Sequence, residues 1–258
     1  MTKILCVGDL HSEKNDARRV FKYAQEVGAD LIIQVGDFGM AFSITQYKGT
    51  GGKIECEFTH YVSELVKDFG IPLMWFDGNH SNFEFLQATL DKLTPETDGT
   101  YELYPNLFYI PRGTKLEFDG IKFLICGGAV SVDKKTRINF ISWWKEEAIT
   151  QADIDKCAEA GKVDVLLTHD LPLEVTVIDR HLDPYWGEEA ARGTYQNRVA
   201  ISEILKASGA RLHLHGHLHF SYSEVIKIPH PVKVIGLDKG DRPMHDCTFL
   251  FNTEQFRV

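Results

Sequence analysis

An α/β domain is what this sequence predicts, on three observations. Short apolar runs recur along the chain, amphipathic stretches separate them, and most runs close on glycine and polar residues. Strand and helix repeated in this way imply parallel strands with helices packed on them. The 258 residues are expected to form one domain, 1–258. A chain of this length buries about 70–75% of its unfolded surface and needs no disulfide staples.

The runs Ile4–Val7, Leu31–Val35, Leu73–Phe76, Phe123–Cys126, Val165–Thr168 and Leu212–Leu214 have strand length and turn signals at their ends. They are expected as strands buried on both faces. Asn15 is placed to cap a helix that carries Ala17, Val20, Phe21, Ala24 and Val27 on one face. Phe58, Tyr61, Val62, Leu65, Val66 and Phe69 form a second stripe, stopped by Gly70 and Pro72. Asn82–Leu90, Thr150–Ala160 and Arg198–Ser208 are further helical stretches. Residues 107–110 and 115–118 read as a hairpin. Phe220–Ile228, Val232–Leu237 and Cys247–Asn252 read as a meander. Two long loops remain, Met40–Ile54 with glycines at 49, 51 and 52, and Leu171–Asn197. Loops of such length in a compact domain usually carry function or motion.

Lys plus Arg number 28 against 37 Asp plus Glu, a net charge of −9. That balance argues against a protein that coats long nucleic acid, which needs a basic stripe. It permits small anionic substrates if the site itself is positive. The five cysteines are scattered without a C-x-x-C pair and are expected as buried free thiols in a reducing cytoplasm. Neither a signal peptide nor a membrane-spanning apolar run is read.

The chemistry gathers at the ends of the predicted strands. They close on Gly8-Asp9-Leu10-His11, Gly36-Asp37, Asp77-Gly78-Asn79-His80, Thr168-His169-Asp170 and His213 to His219. In open α/β sheets ligands collect at the carboxyl ends of strands. Carboxylate oxygen, amide oxygen and imidazole nitrogen together suit Mn²⁺, Fe, Co²⁺ or Zn²⁺. Seven or more such donors exceed one ion and fit two ions sharing a carboxylate. Taken singly, a strand-end Asp is a common helix cap and a lone His is commonly structural. Five such elements in order carry the weight.

With these residues in place, the chain resembles the calcineurin-like metallophosphoesterases. The pattern is Asp9-x-His11, Gly36-Asp37, Gly78-Asn79-His80, a strand-end His169 and Gly216-His217-x-His219. It spans about four fifths of the chain, and the segment from Phe123 to Trp144 resembles small stand-alone bacterial and phage phosphoesterases. The resemblance implies a four-layer αββα sandwich with two mixed β-sheets flanked by helices. It implies one divalent ion held by Asp9, His11 and His219, a second held by Asn79, His169 and His217, and Asp37 bridging them. Mn²⁺ is the expected metal, with Fe, Zn²⁺, Co²⁺ or Ni²⁺ as alternatives. His80 is implied as the catalytic group facing the leaving oxygen or a phosphate oxygen. His213 and His215 are expected to pack behind the site. Asp170 is expected either to orient His169 or a neighbour, or to cap a helix.

The chain departs from the family at three positions, the first two being set against its protein phosphatases. Met40 stands where they carry the aspartate that orients the catalytic histidine, Ala41 where they carry a phosphate-gripping arginine, and Ser81 where an acid is usual. The first two argue against a phosphoprotein substrate. After Phe123–Cys126 comes a glycine pair, then Lys134, Lys135 and Arg137, then Trp143-Trp144. Lys134 and Arg137 are expected substrate-binding cations, since a guanidinium grips phosphate bidentately. A solvated basic loop is the bland alternative, and Arg112, Arg180, Arg192 and Arg198 have weaker claims.

The expected activity is hydrolysis of small phosphodiesters such as cyclic nucleotides, 2′,3′-cyclic ones included, by hydroxide generated at the metals. A phosphomonoesterase or a nuclease of the same superfamily is the alternative, and a non-catalytic protein-binding scaffold is further off. The expected partner is a small phosphate ester, a nucleotide by preference, with no extended nucleic acid and no membrane. The sequence leaves the oligomeric state open.

Overall fold

Alternation along the strands dictates the layers. Ile4 and Cys6 of strand β1 (Lys3–Val7) face one side, Leu5 and Val7 the other, and all four are fully buried. The computed structural model describes residues 1–40, 46–48, 54–177 and 186–256. After β1 come α1 (Lys14–Val27), β2 (Leu31–Gln34), β3 (Gln46–Lys48), β4 (Ile54–Cys56), α2 (Glu57–Phe69), β5 (Leu73–Trp75) and α3 (Phe83–Leu90). The chain continues through β6 (Tyr101–Tyr104), β7 (Leu107–Tyr109), β8 (Thr114–Phe118) and β9 (Ile121–Cys126). Two short 3₁₀ turns, Lys134–Thr136 and Lys145–Glu147, precede α4 (Gln151–Glu159), β10 (Val165–Thr168), α5 (Glu188–Ser208) and β11 (Leu212–His215). It ends in β12 (Tyr222–Lys227), β13 (Pro231–Gly236), α6 (Met244–Cys247), β14 (Thr248–Asn252) and α7 (Thr253–Phe256).

The strands form two six-stranded sheets, in the orders β14-β1-β2-β5-β7-β6 and β12-β13-β11-β10-β9-β8, beside a small β3–β4 pair. Each large sheet has four parallel strands with one antiparallel strand at either edge. Ile4, Cys6, Ile33 and Phe76 from the first sheet pack with Phe123, Ile125, Leu167 and Leu214 from the second. The opposite face of the first sheet, Leu5, Ile32 and Trp75, packs on Val20 and Phe21 of α1 and Val62 and Leu65 of α2. The outer face of the second, Leu124 and Leu166, packs on Cys157 of α4 and Ile204 and Leu205 of α5. These three cores make the expected αββα sandwich.

Four local expectations are corrected. Residues 107–110 and 115–118 do not pair with each other: β7 joins β5 and β6 in the first sheet, whereas β8 pairs with β9 in the second. Ile110 and Leu116 both face the core between the sheets, so their apolar pattern suits either pairing. Pro111 and Gly113, the latter at φ 77°, carry the chain across. The last three strands are not a meander. β12 and β13 form a hairpin, but β14 crosses to pair antiparallel with β1, placing Phe251 in the central core. Helix α1 begins before Asn15, with Glu13 at its N-cap position. Helix α5 starts at Glu188, ten residues before Arg198, so it takes up much of the expected 171–197 loop. Most of the glycine-bearing 40–54 segment, and residues 178–185, lie outside the described residues.

Candidate metal centre

All the motif loops leave parallel strands at their carboxyl ends, which brings residues from both sheets to one edge of the sandwich. Asp9 and Asp37 are almost wholly buried there, and each divides its two oxygens between two tasks. Asp9 Oδ1 accepts from the His217 backbone N–H (3.0 Å), and Asp37 Oδ1 from the His80 N–H (2.7 Å). The Oδ2 atoms then face imidazoles. Asp9 Oδ2 lies 2.9 Å from His219 Nε2 and 3.4 Å from His11 Nε2. Asp37 Oδ2 lies 3.2 Å from His169 Nε2 and 3.8 Å from His11 Nε2, between the two groups.

Asn79 Oδ1 is 3.2 Å from the same His169 Nε2. His169 Nδ1 donates to the Val35 carbonyl (2.9 Å), so in the neutral ring that a metal would require, Nε2 is the nitrogen with the lone pair toward the site. Asp37, His169 and His217 offer donor atoms that all lie within 4.8 Å of one another, as do Asp9, His11 and His219. The local backbone is made for this convergence. A Cβ on Gly78 would come within 2.2 Å of Asp37 Oδ1, and one on Gly216 within 2.2 Å of Asp9 Oδ1. His11, Asp37, His217 and His219 all adopt left-handed φ, between 48° and 70°. Non-glycine residues hold such angles at a cost and concentrate at functional sites.

The electrostatics fit bound cations. Burial works to raise both carboxyls, yet His169 and the other imidazoles hold Asp9 and Asp37 well below the ordinary carboxylate range. Burial works to lower His169, but Asp37 and Asp9 push it up to about 10. His11 and His219 bring their Nε2 atoms to 2.8 Å of each other. Two ring nitrogens pointed at one carboxylate oxygen, beside a shared second carboxylate, form a mixed N/O donor set suited to transition-metal dications.

The chain matches the model of the calcineurin-like phosphoesterase family over residues 2–221. It belongs to the calcineurin-like phosphoesterases. No curated protein sequence matches it. Solved structures share its fold at low identity. A Thermus thermophilus protein is 11% identical with a TM-score of 0.55, covering 97% of this chain and 98% of its own. A dimetal phosphatase from Danio rerio is 12% identical with a TM-score of 0.55, covering 96% and 91%. A purple acid phosphatase from yellow lupin (Lupinus luteus) seeds is 11% identical with a TM-score of 0.51, covering 93% of this chain and 44% of its own.

In this phosphoesterase His80 joins His11 and Asp37 in a third group of donor atoms within 4.8 Å of one another, but it differs from the other imidazoles in its partner. Its Nε2 is 2.9 Å from Arg137 Nη2, and its ring meets the His11 ring edge-on at 4.7 Å. Burial, with Arg137 and His11 adding to it, lowers its pKa to about 4. Arg137, itself held by Asp133 (2.7 Å), thus touches the cluster. Lys134 points elsewhere: it pairs with Glu189 (3.1 Å) and lies 4.3 Å over the Trp143 ring. The two cations expected to act together are separated.

Arg112 is a buried clamp. Its Nε and Nη2 grip Asp77 Oδ2 at 3.0 and 2.6 Å, at the base of the Gly78-Asn79-His80 loop, while Tyr109 donates to Oδ1. Asp170 accepts from Asn197 Nδ2 (2.9 Å) and from the Leu171 N–H, and its charge faces His217 rather than bonding His169. His213 and His215 are buried on Thr168 and Tyr222, both at 2.6 Å, as packing groups. Met40 lies in the core of the first sheet, and Ser81 Oγ accepts from the Gly78 N–H. Arg198 is buried in α5, and Arg192 lies in the same helix near Glu189. Ala41 and Arg180 lie outside the described residues.

Two residues the motifs did not single out support Asn79. Its Nδ2 donates to Ser131 Oγ (3.1 Å), which donates to Glu147 Oε2 (2.6 Å). Glu147 Oε1 accepts from the Ser131 N–H and from Trp143 Nε1, both at 2.8 Å. The direction of this chain fixes the Asn79 amide with Oδ1 toward His169. Ser131 follows a strand and a glycine pair, the same signal that marks the other loops. Glu147 is distant in sequence and has no such mark.

Proposed function

We propose that this metal-dependent hydrolase of phosphoric esters is a phosphodiesterase acting on small diesters, cyclic nucleotides among them, the 2′,3′-cyclic ones included. The observation that carries the reading is Asp37 Oδ2 lying between His11 Nε2 and His169 Nε2, at 3.8 and 3.2 Å. Asp9, His11 and His219 would hold one divalent ion, Asn79, His169 and His217 the other, with Asp37 shared. Manganese is the metal we assign. Two such ions supply Lewis-acid polarisation of phosphoryl oxygens and a more acidic water.

The chain's own groups do the rest. The backbone N–H groups of His80 and His217 orient the two carboxylates. Arg137 offers its guanidinium to a non-bridging phosphoryl oxygen. His80, beside it and neutral near pH 7, stabilises the leaving oxygen through its ring N–H. No serine or cysteine nucleophile is required, and all five cysteines are free and buried, which suits a reducing cytoplasm. Among the described residues no helix is long and apolar enough to cross a membrane.

Charge favours a diester over a monoester. Among the described residues Arg137 is the cation in contact with the cluster, and Met40 and Ala41 occupy the positions where the protein phosphatases carry an aspartate and an arginine. A diester monoanion needs less positive charge than a monoester dianion. The test is a screen of Mn²⁺-loaded protein on 2′,3′- and 3′,5′-cyclic nucleotides, nucleoside monophosphates, single-stranded DNA and bis(p-nitrophenyl) phosphate. Cyclic nucleotides should turn over fastest among the natural esters. Activity confined to DNA or to monoesters would overturn the diester assignment, and no hydrolysis at all would favour a scaffold.

A further inference from the structure

A cavity of about 350 Å³ opens beside the metal centre, between the 3₁₀ turn Lys134–Thr136 and the first turns of α5. The indoles of Trp143 and Trp186 line it, together with Lys134, Lys135, Lys145 and Arg192. Its size falls in the range of small-ligand pockets, about 300–1,000 Å³. Two carboxylates share it with the four cations, and both are engaged. Glu147 accepts from Ser131 and Trp143, and Glu189 pairs with Lys134. Lys135 and Arg192 also act on Glu189, and among the described residues neither has an ion-pair partner of its own. In a chain of charge −9, this cavity is locally positive.

The cavity reaches the Gly78-Asn79-His80 loop through one shared residue. Ser131 lines it and also accepts from Asn79. Arg137, three residues beyond Lys134, reaches His80. A ligand for such a cavity must combine a flat apolar part with negative charge. A nucleoside phosphate has both: its base packs on an indole whatever its identity, and its anionic groups pair with lysine and arginine. The Trp143 face already receives the Lys134 ammonium at 4.3 Å.

We propose that this cavity is a nucleotide subsite of the enzyme, with the base packed on Trp143 and Trp186, and with Lys135 and Arg192 at its rim placed to take any phosphate beyond the one at the metals. The inference deepens the phosphoesterase reading, since it assigns the part of the ester recognised away from the metals.

Isothermal titration calorimetry tests it on the metal-free protein, with AMP as probe and adenosine and inorganic phosphate as the two halves. AMP is expected to bind saturably and more tightly than either half. Trp186→Ala and Arg192→Glu should each raise its Kd by about tenfold, and Lys135→Glu provides a second charge variant at the exposed rim. Absence of AMP binding, or binding unchanged in all three variants, overturns the subsite. Phosphate binding as tightly as AMP, with no effect of Trp186→Ala, overturns it in favour of a plain anion site. The phosphoesterase reading is measured separately, by wild-type hydrolysis of bis(p-nitrophenyl) phosphate after Mn²⁺ loading. Hydrolysis without AMP binding sinks the subsite alone; AMP binding without hydrolysis sinks the activity alone.

Discussion

The two halves of the candidate metal centre are built from similar donors but are held differently. On the Asn79–His169 side, His169 is fully buried and Asn79 is 3% exposed. Each is tied from behind, His169 by the Val35 carbonyl and Asn79 through Ser131 to Glu147. On the other side the His11 and His219 side chains are 21% and 41% exposed. Only Asp9 is buried there, anchored by the His217 N–H. The difference sets a side where Asn79 and His169 are buried and held from behind, with His217 half-buried beside them, against a side more open to solvent. Supporting bonds of this kind fix ring orientation and raise metal affinity.

The largest way to break this asymmetry is to remove what the halves share. Asp37→Ala should lose ions from both sides and abolish hydrolysis, well beyond the roughly 10–100-fold cost of losing a supporting group. Metal content by plasma emission, measured with activity, checks it; two ions retained with activity intact would contradict the shared role. Next in size is His80→Ala, which should leave metal content unchanged and lower kcat by about 10²–10⁴-fold. The loss should be smaller with a p-nitrophenolate leaving group than with an alkoxide. Equal losses on both substrates would show that His80 does not serve the leaving oxygen. Smaller again is the difference between the wild-type sites. Titration with a chelator should release Mn²⁺ in two steps, and His219→Ala should abolish the easier one. A single step for both ions would mean that burial does not distinguish them.

The donors are more legible in the sequence than their supports. Each donor follows an apolar strand and all but His169 sit near glycine, a signal local to a few residues. The αββα layering followed from the resemblance, and the strand runs agreed with it. What the sequence hid depends on distant partners. Arg112 reads as a loop cation, yet it closes on Asp77, 35 residues earlier. Residues 107–110 and 115–118 share an alternation that fits one hairpin or two separate sheets. Only the crossing at Pro111–Gly113 decides. Lys134 and Arg137 lie three apart in sequence and point to different places, because one meets Glu189 and Trp143 and the other meets His80 and Asp133.

The finest test of the asymmetry lies in Ser131. Its hydroxyl accepts from Asn79 Nδ2 and donates to Glu147, so it determines which end of the Asn79 amide faces His169. Ser131→Ala removes that hydroxyl with little change in volume. The Asn79 amide is then free to turn, and its NH₂ group, which cannot ligate a cation, competes for the position of Oδ1. Affinity at the buried half should fall by about 10–100-fold, while the exposed half keeps its own. The two release steps under chelation would then draw together or exchange order. Ser131→Thr, which keeps the hydroxyl, should restore their separation. A merely structural role for Ser131 would lower the melting temperature in both variants and leave the spacing of the two steps as it is in the wild type.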